Sequence, residues 1–233
     1  MPLYRFADFV FDIQPRYDYT LFLCKDYEVK DGVPDFVIKA TEEECQAEKQ
    51  RALSAVSSGY CEGMVIYRKI CNAVAAFDTM LLHGATVKVA GKAYAFCAPS
   101  GTGKTTHIHL WKLCYKDKVT VLNGDKPLLR KKGDTFFAYG TPWCGKEGWN
   151  TNDSAPLSAI CFLERAKTNS IRRLSKEEAL MRIFEQLLKP SHIAGVEALL
   201  SMTDALLSYV PMYLLSCDIS EEAAALSFET MTK

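Results

Sequence analysis

Apolar residues recur along this chain with two different periods, and the alternation between them predicts a mixed α/β fold. Tyr4, Phe6, Phe9 and Phe11 form an aromatic alternation, and Tyr19-Thr20-Leu21-Phe22-Leu23 is a second apolar run. With Pro15 and Asp31-Gly32 as breaks, residues 1–60 read as a β-rich extension of short strands. Thr41-Glu42-Glu43-Glu44 has the form of a capping box, followed by residues too polar for a deeply buried helix. From Glu62 to Leu82 the period changes: Ile66, Ile70, Val74, Phe77 and Leu81 step by three or four and predict a helix with one apolar face. Ala85 to Val89 and Ala93 to Cys97, joined at Gly91-Lys92, predict a β-hairpin. Val119 to Leu122 is a short buried strand, Leu128 to Lys131 and Thr135 to Tyr139 a second hairpin, and Ala159 to Leu163 a further strand. Ser175-Lys176-Glu177-Glu178 caps a helix that stops before Pro190. A helix around Val196 to Tyr209, a strand from Met212 to Cys217 and a helix after Ser220 complete the pattern, which contains no repeat.

Between the second strand of the first hairpin and the helix that follows stands Ala98-Pro99-Ser100-Gly101-Thr102-Gly103-Lys104-Thr105, with Thr106 after it. The phosphate-loop pattern is G-x-x-x-x-G-K-[ST]; Ala98 replaces its first glycine and the rest matches. The chemistry follows from the backbone: the glycines let successive N–H groups and the helix N-terminus point inward at a polyphosphate. Ser100, Gly101, Thr102, Gly103, Lys104, Thr105 and Thr106 are therefore the candidate nucleotide-binding residues. Lys104 adds a mobile cation and Thr105 a hydroxyl for magnesium.

Asp125 ends the Val119 strand, where a carboxylate can hold magnesium or take a proton from an attacking hydroxyl; the plainer reading is a turn aspartate after Asn123-Gly124. His83 begins the hairpin strand antiparallel to the one that delivers the loop, which sets it near the phosphates. His107 and His109 project about 200° apart on a helix and cannot chelate one ion, so they read as helix-surface or nucleotide-adjacent side chains. The loop from Gly140 to Asn150, with three glycines and two tryptophans, has the composition of a substrate lid. In that reading Lys146 neutralises a transferring phosphoryl group and Trp143 and Trp149 wall the acceptor; the alternative is a surface loop pinned by buried tryptophans. Arg165, Arg172 and Arg173 read mainly as a solvated face, with one of them able to reach the phosphates. Glu62 and Arg68 are candidates for supporting roles.

Composition narrows the partners more than the chemistry. With 28 basic and 28 acidic residues, a pI near 6.9 and no basic block, the chain has no electrostatic footprint for nucleic acid. The first residues lack a signal-peptide pattern and no stretch approaches a membrane span, so the expectation is a soluble cytoplasmic protein. Nine cysteines without a C-x-x-C pair read as reduced, mostly buried thiols rather than a metal cluster or disulfide framework.

Taken together, Leu82-His83-Gly84, the hairpin, Ser100-Gly101-Thr102-Gly103-Lys104-Thr105 and the strand ending at Asp125 resemble the HPr kinase/phosphorylase-like superfamily. That superfamily shares its nucleotide-binding core with ATP-dependent phosphoenolpyruvate carboxykinase. The resemblance covers Leu82 to Leu129 best. It implies a mixed sheet whose phosphate loop is delivered by a β-hairpin, in a single kinase-like domain over residues 1–233 with its nucleotide-binding core at 61–233. It also implies ATP- and Mg2+-dependent phosphoryl transfer to a hydroxyl on a small molecule or on a serine of a peptide or protein. Homo-oligomers are common among such proteins. By the same resemblance Lys104 binds the β- and γ-phosphates, Thr105 ligates magnesium, Asp125 serves as base or metal ligand, and His83 tunes the charge around the phosphate. The superfamily's kinases carry two adjacent acidic residues where this chain has Gly124-Asp125-Lys126, so the division between base and metal ligand stays open. A nucleotide-binding regulator without turnover, or a phosphatase or phosphorolytic enzyme, are the alternatives.

Overall fold

The computed structural model describes residues 2–52 and 55–233, which form two β-sheets, and the second sheet positions everything of chemical interest. The first contains β1 (Leu3–Phe6), β2 (Phe9–Ile13), β3 (Glu28–Val29) and β4 (Phe36–Ile38) in the order β3-β1-β2-β4. Phe6 pairs with Phe9 across a turn in which Ala7 and Asp8 both have positive φ, the handedness that suits a two-residue hairpin. The aromatic alternation predicted here is present, and Phe6 stacks on Phe11 with centroids 4.4 Å apart.

Three helices follow within the first third of the chain: α1 (Asp18–Cys24), α2 (Glu42–Arg51) and α3 (Ser58–Val74). The run Tyr19 to Leu23, expected as strand, is helical. Glu62 of α3 is completely buried and accepts hydrogen bonds from the Arg16 and Tyr17 N–H groups and the Thr20 hydroxyl, tying down the start of α1. Glu62 is thus a fold anchor. Helix α2 forms the predicted capping box between Thr41 and Glu44. It is tethered by ion pairs to α3, Glu48 to Arg68 at 2.9 Å and Glu44 to Lys69 at 2.8 Å, which accounts for Arg68. The helix expected to reach Leu82 stops at Val74: Phe77 N–H closes on Val74 O, Asp78 takes a positive φ, and Thr79–Leu81 becomes β5.

After β5 come β6 (Ala85–Val89), β7 (Lys92–Cys97), α4 (Lys104–Tyr115), β8 (Val119–Asn123), β9 (Leu128–Lys132), β10 (Thr135–Tyr139), β11 (Ser154–Arg165), β12 (Ser170–Arg173), α5 (Lys176–Gln186), α6 (Ile193–Tyr209), β13 (Met212–Cys217) and α7 (Glu221–Met231). The large sheet runs β5-β9-β10-β11-β7-β6-β8, with β13 added to β11 and β12 to β13. Strand β11 is the joint: its first residues pair antiparallel with β10, and the remainder lies parallel between β7 and β13. Because β6 is antiparallel to both β7 and β8, the strands β7, β8, β11 and β13 all point the same way. Their carboxyl ends meet at one edge, where open α/β sheets bind ligands.

Alternation along β7 feeds the two faces. Tyr94 and Phe96 pack with Ile108 and Trp111 of α4 and with Ala224 and Met231 of α7. Ala93, Ala95 and Cys97 face Ile183 of α5 and Leu199, Met202 and Leu206 of α6. The third cluster joins Ile66, Ile70 and Val74 of α3 to Phe11, Leu81, Leu128 and Tyr139. All nine cysteines are free thiols, seven of them buried. Among the described residues no helix is long and apolar enough to cross a membrane.

Candidate functional site

Strand β7 ends at Cys97, and Ala98 to Gly103 turn directly into α4. Gly101 and Gly103 have φ of +78° and +124°, and a Cβ on either would meet no atom within 4 Å. Backbone conformation, not crowding, requires glycine at both. Lys104 opens α4 and folds its ammonium back over the loop, donating to Ala98 O at 2.7 Å. Burial pulls its pKa down, against the opposing charge of Asp125. From the other side Arg165, at the end of β11, donates to Gly101 O at 2.5 Å and Thr102 O at 3.3 Å. Arg165 is therefore a strap on the loop, unlike Arg172, which pairs with Glu178 at the surface.

The turn after β8 is held by Asn123, not by Asp125. Asn123 is fully buried; its side-chain oxygen accepts from the N–H groups of Asp125 at 2.9 Å and Lys126 at 2.6 Å, and its amide donates to Thr141 O at 3.0 Å. The Asp125 carboxylate takes no part in holding that turn and lines a cleft. Two backbone rungs, Gly84 N–H to Asp125 O at 2.9 Å and Leu82 N–H to Pro127 O at 3.1 Å, draw His83 alongside. Nε2 of His83 lies 3.4 Å from Asp125 Oδ1, and the Lys126 ammonium pairs with Oδ2. Burial raises the Asp125 pKa, but His83 and the Lys126 charge outweigh it and hold the group down at about 2, so it is a carboxylate at neutral pH. Gly145 backs closely onto this residue: a Cβ there would lie 3.2 Å from Asp125 Cβ, tighter than ordinary van der Waals contact.

These parts open on one cleft of about 820 Å³. Ser100, Gly101, Gly103, Lys104, Thr105 and Thr106 line it together with His83, Asp125 and Lys126. Thr102 faces away, into a second hollow of about 470 Å³ that it shares with Arg165, Asp218 and Ile219. Lys146 lines the main cleft from the exposed tip of the Gly140 to Asn150 loop. Of the tryptophans expected to wall the acceptor, Trp143 lines the main cleft and Trp149 does not, and both also anchor the loop. Trp143 is buried, donates to Gly63 O at 3.0 Å and packs on Phe6 and Tyr67, while Trp149 stacks on His109 with centroids 5.6 Å apart. The Cys144 thiol is pushed up by burial and is protonated.

His107 is not at the helix surface. It is buried against Phe96 and meets Ser227 Oγ at 2.9 Å; Trp111 donates to the same oxygen at 2.8 Å. His107 Nε2 and the Trp111 indole thus share one hydroxyl, which also lies within hydrogen-bond distance of Ala224 O. Among the described residues no three His, Cys, Asp or Glu side chains cluster as a metal cage. A magnesium ion here would take one or two protein oxygens and draw the rest from phosphate and water, its usual manner.

A family model described as "SynChlorMet cassette protein ScmC" matches residues 44–223. The chain belongs to the ScmC family. The matched segment begins in α2 and ends in α7, so it contains the glycine loop, His83, Asp125 and the Lys146 loop, while α1 lies outside it. No curated protein matches the chain. Among solved structures the chain is similar to the Hpr(Ser) kinase/phosphatase from Coxiella burnetii. The two are 10% identical, the match covers 65% of this chain and 87% of that one, and the TM-score is 0.39.

Two roles in the site are not apparent from the sequence, the pairing of Lys126 with Asp125 and the strap made by Arg165. Lys126 directly follows the aspartate, and that adjacency is the available signal. For Arg165 the pattern offers only three arginines after one strand, and its reach to the loop depends on β11 being the parallel neighbour of β7.

Proposed function

We propose that this ScmC-family chain is an ATP- and magnesium-dependent kinase that transfers the γ-phosphoryl group to a hydroxyl acceptor. The observation that carries the reading is a single cleft in which an ionised carboxylate, Asp125, stands between His83 and Lys126 and faces a glycine loop at the start of a helix. Loop N–H groups and the α4 dipole favour the polyphosphate. Lys104 exchanges Ala98 O for phosphate oxygens. Thr105 and Asp125 share the cleft and fit a magnesium ion, which supplies charge neutralisation when bound.

In the transfer, the acceptor oxygen bonds to the γ-phosphorus as the bond to the β,γ-bridging oxygen breaks. The hydroxyl proton passes to Asp125 and then to solvent, and ADP departs. A carboxylate with so low a pKa is a weak base, which suits a loose transition state in which orientation of the hydroxyl matters more than base strength. His83 fixes the carboxylate, and Lys126 and Lys146 supply cationic charge for the phosphoryl oxygens.

The test is incubation with ATP, magnesium and a panel of alcohols and seryl peptides, read by mass spectrometry. One acceptor is expected to gain a phosphate, and Lys104→Ala to lose both product and nucleotide binding. If no acceptor gains mass and ATP is not consumed, the reading is wrong.

A further inference from the structure

The cleft is chemically mixed. Besides the glycine loop and the residues around Asp125, its wall includes Tyr19 and Leu23 of α1 and Tyr60 and Met64 of α3. None of these four is charged, and each is at least partly open to solvent, with Tyr19 at 38% and Tyr60 at 41% exposure. The wall is closely fitted. Tyr19 lies over two glycines one helical turn apart: a Cβ on Gly59 would come 2.8 Å from Tyr19 Cβ, and one on Gly63 3.3 Å from Tyr19 Cε1 and 3.8 Å from Leu23 Cδ1. Glycine at both positions lets α1 settle on α3 and presents Tyr19 and Leu23, themselves four apart, to the cleft. Tyr60 continues the surface, its ring centred 6.2 Å from that of Tyr19.

We propose that this wall binds an aromatic or branched aliphatic group carried next to the reacting hydroxyl, so that the acceptor is an apolar-substituted alcohol rather than a polar metabolite. The inference rests on the kinase reading, because that reading sets the acceptor hydroxyl at Asp125 and its remaining bulk against α1 and α3. An apolar group laid on the tyrosine rings, Leu23 and Met64 removes both its own area and that of the wall from water, a gain that a polar polyol does not make. Tyrosine is well suited to such a wall because it gives a large rigid contact with few rotatable bonds.

The experiment measures binding of four probes to the full chain in the presence of ADP and magnesium: N-acetyl-phenylalanyl-serinamide, N-acetyl-glycyl-serinamide, 3-phenyl-1-propanol and 1-propanol. The phenyl-bearing member of at least one pair is expected to bind about tenfold more tightly than its partner. Tyr60→Ala should erase that preference and Tyr60→Phe should keep it, with ATP–magnesium binding unchanged in both. Preference in the peptide pair alone identifies a peptide acceptor, and preference in the alcohol pair a small molecule. Equal affinity within both pairs, no binding of any probe, or a preference untouched by Tyr60→Ala overturns the proposal. Failure of the kinase reading is separately visible, as absence of ATP consumption with the apolar preference intact.

Discussion

Asp125 owes its readiness to a residue two positions before it. Asn123 satisfies the turn's N–H groups and bridges to Thr141, so the aspartate is spared the local hydrogen bonding that turn aspartates usually perform. The sequence shows a carboxylate at the end of an apolar strand and His83 at the start of the hairpin; it does not show that Arg165 reaches the loop, because that contact depends on β11 pairing with β7. The depressed pKa gives a direct check. A carboxyl carbon-13 titration should place Asp125 near 2, and Lys126→Met should move it upward toward the ordinary 3.8. The unfolded group titrates near 3.8 and the folded one near 2, so its stabilising contribution is complete above pH 4 and lost on acidification toward 2. That contribution is roughly 2 kcal/mol. An unchanged midpoint in the lysine variant would mean that Lys126 does not govern the carboxylate.

At the level of elements, the hairpin β6–β7, the glycine loop, α4 and β8 are all legible, because each carries a strong local signal, whether alternation, a glycine pair or an apolar run. Two segments misled for a shared reason, that a tertiary partner overrides local pattern. Glu62 captures the start of α1, and pairing with β9 pulls β5 out of a helical repeat. The edge strand β12, short and mostly polar, gives no alternation to find. Helix α4 carries a further dependency, since His107 and Trp111 both rely on Ser227 of α7. Ser227→Ala leaves two buried ring nitrogens without this partner and should lower unfolding free energy by about 1–3 kcal/mol in urea titration at pH 7. The His107 pKa is lowered by burial from 6.5 to about 4. Between those values the unfolded chain binds a proton that the folded chain refuses, so stability falls as pH drops through that window. The loss amounts to about 3 kcal/mol. His107→Phe should flatten the pH dependence there; an equal slope in variant and parent would place the titration elsewhere.

Across the whole molecule, the decisive feature is that four strands, β7, β8, β11 and β13, end at one edge. The loop, the carboxylate and the Arg165 strap are delivered to that edge by three of those strands, and α1 and α3 add side chains to the wall of the cleft. Hydrophobic patterning gives the strands but not their order, and order is what turns scattered motifs into one site. The proposed phosphoryl transfer is tested by phosphorus-31 NMR of ATP and magnesium with a hydroxyl compound that gains mass in the acceptor panel. ADP and a phosphomonoester should appear in equal amounts, with the rate reduced about a hundredfold or more in Asp125→Asn while nucleotide binding persists. ATP left unchanged, or hydrolysed to inorganic phosphate with no ester formed, would contradict the kinase reading.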